Sequence, residues 1–289
     1  MFVDLHIHTS ASDGSDTVQE VLQRALENNV SVVSITDHNT IQAHRENAVS
    51  EAERMGIKII PGVELDVIYK NRQYHLLGYG VDLENRKLIE ICGYNAAVQE
   101  RSNLMLLRKI ANEIPEISEA AYEEYNIPKG RGGWKLLNYL LDLGVTSSLH
   151  EGLKFYGQHH VDSSKLPFVS MAEAVKVIKE AGGIPVLAHP GENIPYYHYE
   201  RVHDDFYQTL EDILLSGIEG IECIHPLHDF YLEQDLISLC KARGLFITGG
   251  SDYHGRFFSR QKEKLGGQFV TGNTVKEFLS KIGIEAFKK

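Results

Sequence analysis

His6 and His8, in the run Asp4-Leu5-His6-Ile7-His8-Thr9, are answered at the other end of the chain by Asp252 and His254 in Ser251-Asp252-Tyr253-His254. Residues two apart on a strand point to the same side, so each pair can aim two cation-ligating side chains at one point if its segment is extended. Four further clusters lie between them: Asp13 in Ser12-Asp13-Gly14, His38 in Asp37-His38-Asn39, Glu64 in Gly62-Val63-Glu64 together with His75, and His189 in Ala188-His189-Pro190. Each follows an apolar run that reads as a strand. A lone His or Asp-His pair is commonly a structural group, but six clusters at strand ends describe one site. Such a site requires the first and last strands to lie side by side, which a closed barrel provides and an open sheet does not.

The hydrophobic periodicity supplies the strands for that closure. Apolar runs predict strands at 2–7, 31–36, 58–68, 73–80, 184–188, 218–224 and 244–248, with helices at 17–29, 40–55, 171–181, 204–216 and 229–243. The first helix carries a Thr17/Glu20 capping box and an apolar stripe of Val18, Val21, Leu22, Ala25 and Leu26; Ser170 and Glu173 open the helix at 171 in the same way. The alternation predicts an α/β fold, a distorted seven-stranded (β/α) barrel of TIM type with parallel strands. Its active face lies at the C-terminal ends of those strands. Residues 82–168 break the alternation: 84–113 and 134–143 read as helices and 120–133 as irregular. The expected organisation is a barrel built from 1–81 and 169–289 with 82–168 as a mainly helical cap.

Charge and composition narrow the partners. A formal net charge of -11 argues against wrapping duplex nucleic acid, whose affinity comes from Lys and Arg neutralising phosphates. A small phosphorylated substrate stays open, because bound divalent cations add positive charge that a residue count omits. No stretch approaches ~18 consecutive apolar residues and the start of the chain lacks a leader pattern, so a cytoplasmic protein without membrane contact is expected. Cys92, Cys223 and Cys240 are widely spaced, without a Cys-x-x-Cys pattern, and are expected to be buried and reduced.

The motifs His6-x-His8-Thr9, Asp13-Gly14, Thr36-Asp37-His38-Asn39, Pro61-Gly62-Val63-Glu64, Ala188-His189-Pro190-Gly191 and Ser251-Asp252-Tyr253-His254 resemble those of the PHP family, the polymerase and histidinol phosphatase phosphoesterases. The resemblance runs through 1–80 and 169–255 and implies three divalent cations. By that likeness His6, His8, Glu64 and Asp252 hold the first, Glu64, His75 and His189 the second, and Asp13, His38 and His254 the third. A carboxylate bridge at Glu64 has its own physical reason: two cations held close together need a shared anion to offset their repulsion. Mixed imidazole and carboxylate ligation suits manganese, zinc or iron better than magnesium or calcium.

Such a site implies hydrolysis of a small phosphomonoester by attack on phosphorus of hydroxide generated at the metals. Within the family the motif versions resemble the stand-alone enzymes acting on nucleoside 3',5'-bisphosphates or short RNA 5' ends, which makes a nucleotide the leading substrate class. The insertion departs from those relatives, with Gly132-Gly133-Trp134 where they tend to place a His. Histidinol-phosphate phosphatase is the enzymatic alternative. A metal-stabilised binding module, or a hydrolase of carbon-centred bonds, are the alternatives of other classes.

Two residues are candidates for substrate chemistry. His225, just past a strand, is read either as a phosphate contact or leaving-group acid or as a hydrogen-bonded loop histidine. Arg131, in a Gly-rich turn that opens a helix, is read either as the cradle for a second phosphate or as an exposed turn residue. His159 and His160 read as a solvated pair, Trp134 with Leu137, Leu140 and Leu141 as core of the cap, and Tyr196, Tyr197 and Tyr199 as rim contacts.

Overall fold

A computed structural model describes residues 1–45, 48–159, 165–194, 204–256 and 264–285. His160, Tyr196, Tyr197 and Tyr199 lie outside them. In chain order the elements are β1 (Phe2–Ile7), α1 (Val18–Glu27), β2 (Val30–Ile35), α2 (Gln42–Arg45), α3 (Ala48–Arg54), β3 (Lys58–Tyr69) and β4 (Arg72–Tyr79). The helices α4 (Arg86–Ala111), α5 (Glu119–Glu124), α6 (Lys135–Asp142) and α7 (Leu149–Gln158) follow. The chain then runs through α8 (Met171–Glu180), β5 (Ile184–Leu187), α9 (Pro190–Asn193), α10 (Asp204–Leu214), β6 (Gly220–Ile224), α11 (Phe230–Arg243), β7 (Phe246–Gly249) and α12 (Lys276–Lys281). Among the described residues, no helix is long and apolar enough to cross a membrane.

Local chemistry accounts for the elements. Thr17 and Glu20 form the capping box that starts α1, each side chain bonding the other's backbone N–H. Val21, Leu22 and Ala25 are buried against Ile7, Val33 and Ala52, each large side chain contributing about 1.5–3 kcal/mol. Leu26, expected on that stripe, is 50% exposed, because eight residues on from Val18 a 3.6-residue helix has rotated past the core face.

The seven strands form one sheet in sequence order. β1, β2 and β3 are parallel, as are β5, β6 and β7, but β4 runs antiparallel to both β3 and β5. The expectation of parallel strands throughout fails at β4 for a local reason. Only Lys70 and Asn71 separate β3 from β4, both with positive φ (45° and 60°), as a two-residue hairpin turn requires, and so short a link can only reverse the chain. The ring closes through segments that follow β7: Ile7 pairs with Tyr253, the His8 N–H donates to Tyr253 O at 2.8 Å, and the Val3 N–H donates to Val270 O at 2.9 Å.

One end of the barrel is sealed by α12. Its Phe278 ring meets Tyr79 edge-on at 5.1 Å and Phe246 at 6.3 Å, within a cluster containing Leu5, Ile60 and Ile184. Phe246 and Ile184 begin their strands and Tyr79 ends an antiparallel one, so this is the end away from the ligand-type residues. The helices between β4 and α8 share their own apolar cluster, which includes Leu106, Leu107, Ile110, Tyr122, Leu136 and Leu140. Within 120–133, expected to be irregular, the Ser118 hydroxyl caps α5. The buried Asn95 fastens α4 to the barrel, donating to Asn39 Oδ1 at 2.9 Å and Asp66 O at 2.8 Å and accepting from the Val169 N–H at 3.2 Å.

Candidate metal centre

The open end of the barrel gathers all nine residues expected there. His6 and His8 lie at the end of β1 with no exposure. The loop that follows brings Asp13 back over them, and Gly14 makes that return fit, since a Cβ there would stand 2.5 Å from His8 O. Asp37 faces away from the cluster and ties the loop down, accepting from the Thr9 N–H at 2.7 Å, the Thr9 hydroxyl at 2.7 Å and the Ser12 hydroxyl at 2.6 Å. His38 follows β2 and bridges to Glu64, which lies inside β3 rather than at its end because that strand continues outward as the hairpin. His75 enters from the antiparallel β4, His189 follows β5, and Asp252 and His254 follow β7. His189 and Asp252 hold positive φ (20° and 51°), backbone strain of a kind that gathers at functional sites.

The donor atoms converge at coordination distances. His6 Nε2 and His8 Nε2 are 3.1 Å apart; each is 3.2 Å from Glu64 Oε2, and they lie 3.3 Å and 3.2 Å from Asp252 Oδ1. On the other side of the same carboxylate, His75 Nδ1 and His189 Nε2 are each 3.1 Å from Glu64 Oε1 and 3.3 Å from each other. Around a divalent ion with bonds of about 2.0–2.2 Å, neighbouring donors stand about 2.8–3.6 Å apart from octahedral to tetrahedral geometry. Every separation quoted falls in that window. Glu64 Oε2, His8 Nδ1 and His38 Nδ1 are buried without a hydrogen-bond partner, an arrangement that a cation explains and hydrogen bonding does not.

The third group is looser. His254 Nε2 lies 3.4 Å and His8 Nδ1 3.7 Å from Asp13 Oδ1, and His8, Asp13, His38 and His254 together could hold an ion. His8 and His38 each face two groups: His8 reaches the first through Nε2, and His38 Nδ1 lies 3.3 Å from Glu64 Oε2. The residues fit the cations that the motifs imply.

A second layer fixes the imidazoles. His6 Nδ1 is 3.0 Å from Glu222 Oε1, His75 Nε2 is 3.1 Å from Asp66 Oδ1, His189 Nδ1 is 3.1 Å from Glu192 Oε2, and His254 Nδ1 is 2.8 Å from Asp252 O. In each case an acceptor holds the proton on the far nitrogen and leaves the near lone pair aimed at the cluster. Glu222 also accepts the His189 N–H at 2.9 Å. Sequence reasoning missed Glu222 and Asp66, although an acid inside the apolar run of β6 is a signal, since buried Glu is rare unless paired.

Burial opposes ionisation of Glu64, yet the imidazoles of His38, His6 and His75 hold its carboxyl well below the usual carboxylate range. Burial also works against a charged His254, but Asp13 and Asp252 push its imidazole up to about 10. His75 is likewise held well above its ordinary value, against burial, by Glu64 and Asp66. At His38 burial prevails and lowers the pKa. A cation that takes the lone pair of His75 or His254 therefore displaces a proton.

The pocket above the cluster has a volume of about 290 Å³. Asp13, Glu64, Asp66, Glu192 and Asp252 line it, and among the described lining residues there is no Lys or Arg. Five carboxylates repel a phosphate, so an anionic substrate needs the charge of bound cations.

The substrate candidates are placed differently from the ligands. His225 is buried behind Asp252, with Nε2 3.4 Å from Asp252 Oδ2 and Nδ1 accepting the Leu227 N–H at 3.2 Å, while Leu227 lines the pocket. Arg131 lies away from the pocket lining, its Nη1 donating to Asp142 at 2.5 Å. The reading of Trp134 as cap core is corrected. It is the N-cap residue before α6, off the helical stripe that buries Leu136 and Leu140, and its ring lies 5.6 Å from that of His38 at the pocket wall. His159 Nδ1 lies 3.8 Å from Glu113 Oε1, and the three cysteines are buried and free.

Comparison with known proteins agrees with this geometry. Residues 4–159 match the PHP domain. The chain is 30% identical to the phosphoribosyl 1,2-cyclic phosphate 1,2-diphosphodiesterase of Eggerthella lenta, over 89% of this chain and 95% of that protein. It is 28% identical to the 5'-3' exoribonuclease Rnm of Escherichia coli (87% and 84% covered) and 27% identical to the 3',5'-nucleoside bisphosphate phosphatase of Chromobacterium violaceum (87% of each). In fold it is similar to a Bifidobacterium adolescentis structure described as a metal-dependent phosphoesterase, with a TM-score of 0.77 at 23% identity over 96% of each chain. With its ligand-type residues converging at the open end of a seven-stranded barrel, the chain belongs to the PHP family of metal-dependent phosphoesterases.

Proposed function

We propose that this protein is a phosphomonoesterase that removes phosphate from a phosphorylated ribose unit, with a nucleotide as the leading substrate. The observation that carries the reading is the convergence of His6, His8, Glu64, His75, His189 and Asp252 on either side of one carboxylate, in a pocket whose described lining residues include no Lys or Arg. Divalent cations held there would supply positive charge to the phosphoryl oxygens and would lower the pKa of a water to about 7. Asp13, His38 and His254 provide for a third.

The chain's own residues do the positioning. Glu64 offers one oxygen to each side, and Glu222, Asp66 and Glu192 keep the histidine lone pairs aimed inward. His225 donates from Nε2 to Asp252 and steadies that carboxylate. Residues 82–168 act as a cap that shapes the leaving-group side. Manganese, zinc or iron suit the donor set.

The three relatives are named for a phosphoribosyl cyclic phosphate, for RNA cleavage and for a nucleoside bisphosphate, which supports a phosphorylated sugar as the common element of the substrate. A second reading, cleavage of a ribose cyclic phosphodiester, is favoured by the Eggerthella lenta relative. The test is product analysis by phosphorus NMR with protein reconstituted with each metal, across nucleoside 3',5'-bisphosphates, a ribose cyclic phosphate, ribose 5-phosphate and histidinol phosphate, which separates released phosphate from a ring-opened monoester. Preference for the monoesters of ribose supports the proposal. Preference for the cyclic ester, seen as ring opening, moves it to the second reading, and turnover of none of them overturns both.

A further inference from the structure

A second cleft of about 530 Å³ opens beside the metal pocket and shares His38, Gln99 and Trp134 with it. Its size is within the range of pockets that enclose a small organic ligand. One wall is the Trp134 indole, and α4 contributes Gly93 and Ala96. Gly93 lies inside a 26-residue helix, where Gly is unfavourable by about 0.8–1.0 kcal/mol relative to Ala, yet a Cβ at this position meets nothing within 4 Å. Backbone packing around Gly93 therefore does not require glycine, and the missing side chain leaves the cleft open.

The Trp134 wall is held in place. Gly132 has φ +71° and lies so close to the Asp13 loop that a Cβ would stand 2.8 Å from Asp13 O, while the Gly133 N–H donates to that oxygen at 2.6 Å. The turn that precedes Trp134 is thereby locked to a loop carrying a candidate metal ligand. A flat aromatic face held at the edge of the metal pocket, with small residues across the cleft, suits a planar group attached to the phosphorylated sugar.

We infer that the cleft between Trp134 and α4 is the leaving-group subsite, and that it takes a nucleobase stacked on the Trp134 indole. The inference rests on the phosphoesterase reading above and narrows its substrate to one bearing a base, whether a free nucleotide or the 5' end of a short RNA.

Trp134 is the single tryptophan of the chain, so its fluorescence reports the subsite directly. Adenosine 5'-monophosphate should quench it saturably and ribose 5-phosphate should not. In turnover, metal-loaded protein is given adenosine 3',5'-bisphosphate, a 5'-phosphorylated RNA trinucleotide and ribose 5-phosphate. The ratio of kcat/KM for the better base-bearing substrate to that for ribose 5-phosphate cancels any effect that a substitution has on the metals. Trp134→Ala should lower that ratio by about 5- to 150-fold, the range of one lost base–aromatic stack, and Trp134→Phe should restore most of it. Gly93→Leu, which fills the cleft from a helix that gains propensity, should lower it as well.

Which base-bearing substrate responds identifies the source, nucleotide or RNA end. An unchanged ratio in both Trp134→Ala and Gly93→Leu, or ribose 5-phosphate preferred by the unaltered protein, overturns the inference while the phosphoesterase reading stands. No phosphate from any substrate overturns that reading instead.

Discussion

Replacing Glu222 by Gln isolates the part of the site that no motif announces. Both groups that reach this carboxylate are donors, the His6 Nδ1–H at 3.0 Å and the His189 N–H at 2.9 Å, and Glu222 is fully buried. Glutamine keeps the shape but has one acceptor oxygen and one NH₂, so one donor is left facing another donor. His6 can escape that clash only by moving its proton to Nε2, the atom 3.2 Å from Glu64 and 3.3 Å from Asp252 that must carry a free lone pair to bind a cation. Losing a hydrogen bond to a charged group costs about 1.5–3 kcal/mol, equivalent to about 10- to 150-fold in an equilibrium constant. Outer partners of ligating histidines are typically worth 10–100-fold in metal affinity. We expect Glu222→Gln to weaken the tightest site by about 10–100-fold in a competition titration of zinc or manganese against a chromophoric chelator. Affinity within about 2-fold of the unaltered protein, with the fold intact by circular dichroism, would refute the argument that Glu222 sets the His6 tautomer.

Other consequences follow from the same geometry. Glu64→Gln removes the anion shared by the two sides of the cluster and should abolish metal binding and phosphate release together, measured by metal analysis and turnover on one preparation. Metal uptake should release protons, because imidazoles such as those of His75 and His254 are held protonated by their carboxylate neighbours; affinity therefore rises with pH, and calorimetry in buffers of different ionisation heat should show the release. Gly132→Ala forces a Cβ against Asp13 O at a left-handed position and should destabilise the fold by about 1–3 kcal/mol in urea unfolding, with loss of activity. Chelation should lower the Tm, since a cation that binds only the folded state stabilises it.

The convergence of the ligand-type residues was legible because strand geometry turns a His-x-His spacing into two side chains on one side, and because apolar runs before each motif fixed where strands end. Glu64 and His75 were found by residue type, although one lies within β3 and the other on a strand whose direction was misjudged. That direction depends on two residues, Lys70 and Asn71, which lack the Gly that usually marks so tight a turn. Glu222 escaped notice because it belongs to none of the motifs, and only its burial inside β6 marks the acid as one that must have a partner. Trp134 was assigned to the cap core because its spacing to Leu137 and Leu141 matches a helical stripe, and nothing in its side chain marks it as the residue before the helix. Arg131 satisfied every local rule for an anion site, but its partner Asp142 is the last residue of α6, a contact invisible in the local turn sequence.

Sharing of Glu64 between cations at the open end of the barrel is open to anomalous diffraction from metal-soaked crystals. One peak should be bounded by His6, His8, Asp252 and Glu64 and a second by His75, His189 and Glu64, both lost in Glu64→Gln. Peaks that bypass Glu64, or a metal-free cluster in protein that still releases phosphate, would contradict it.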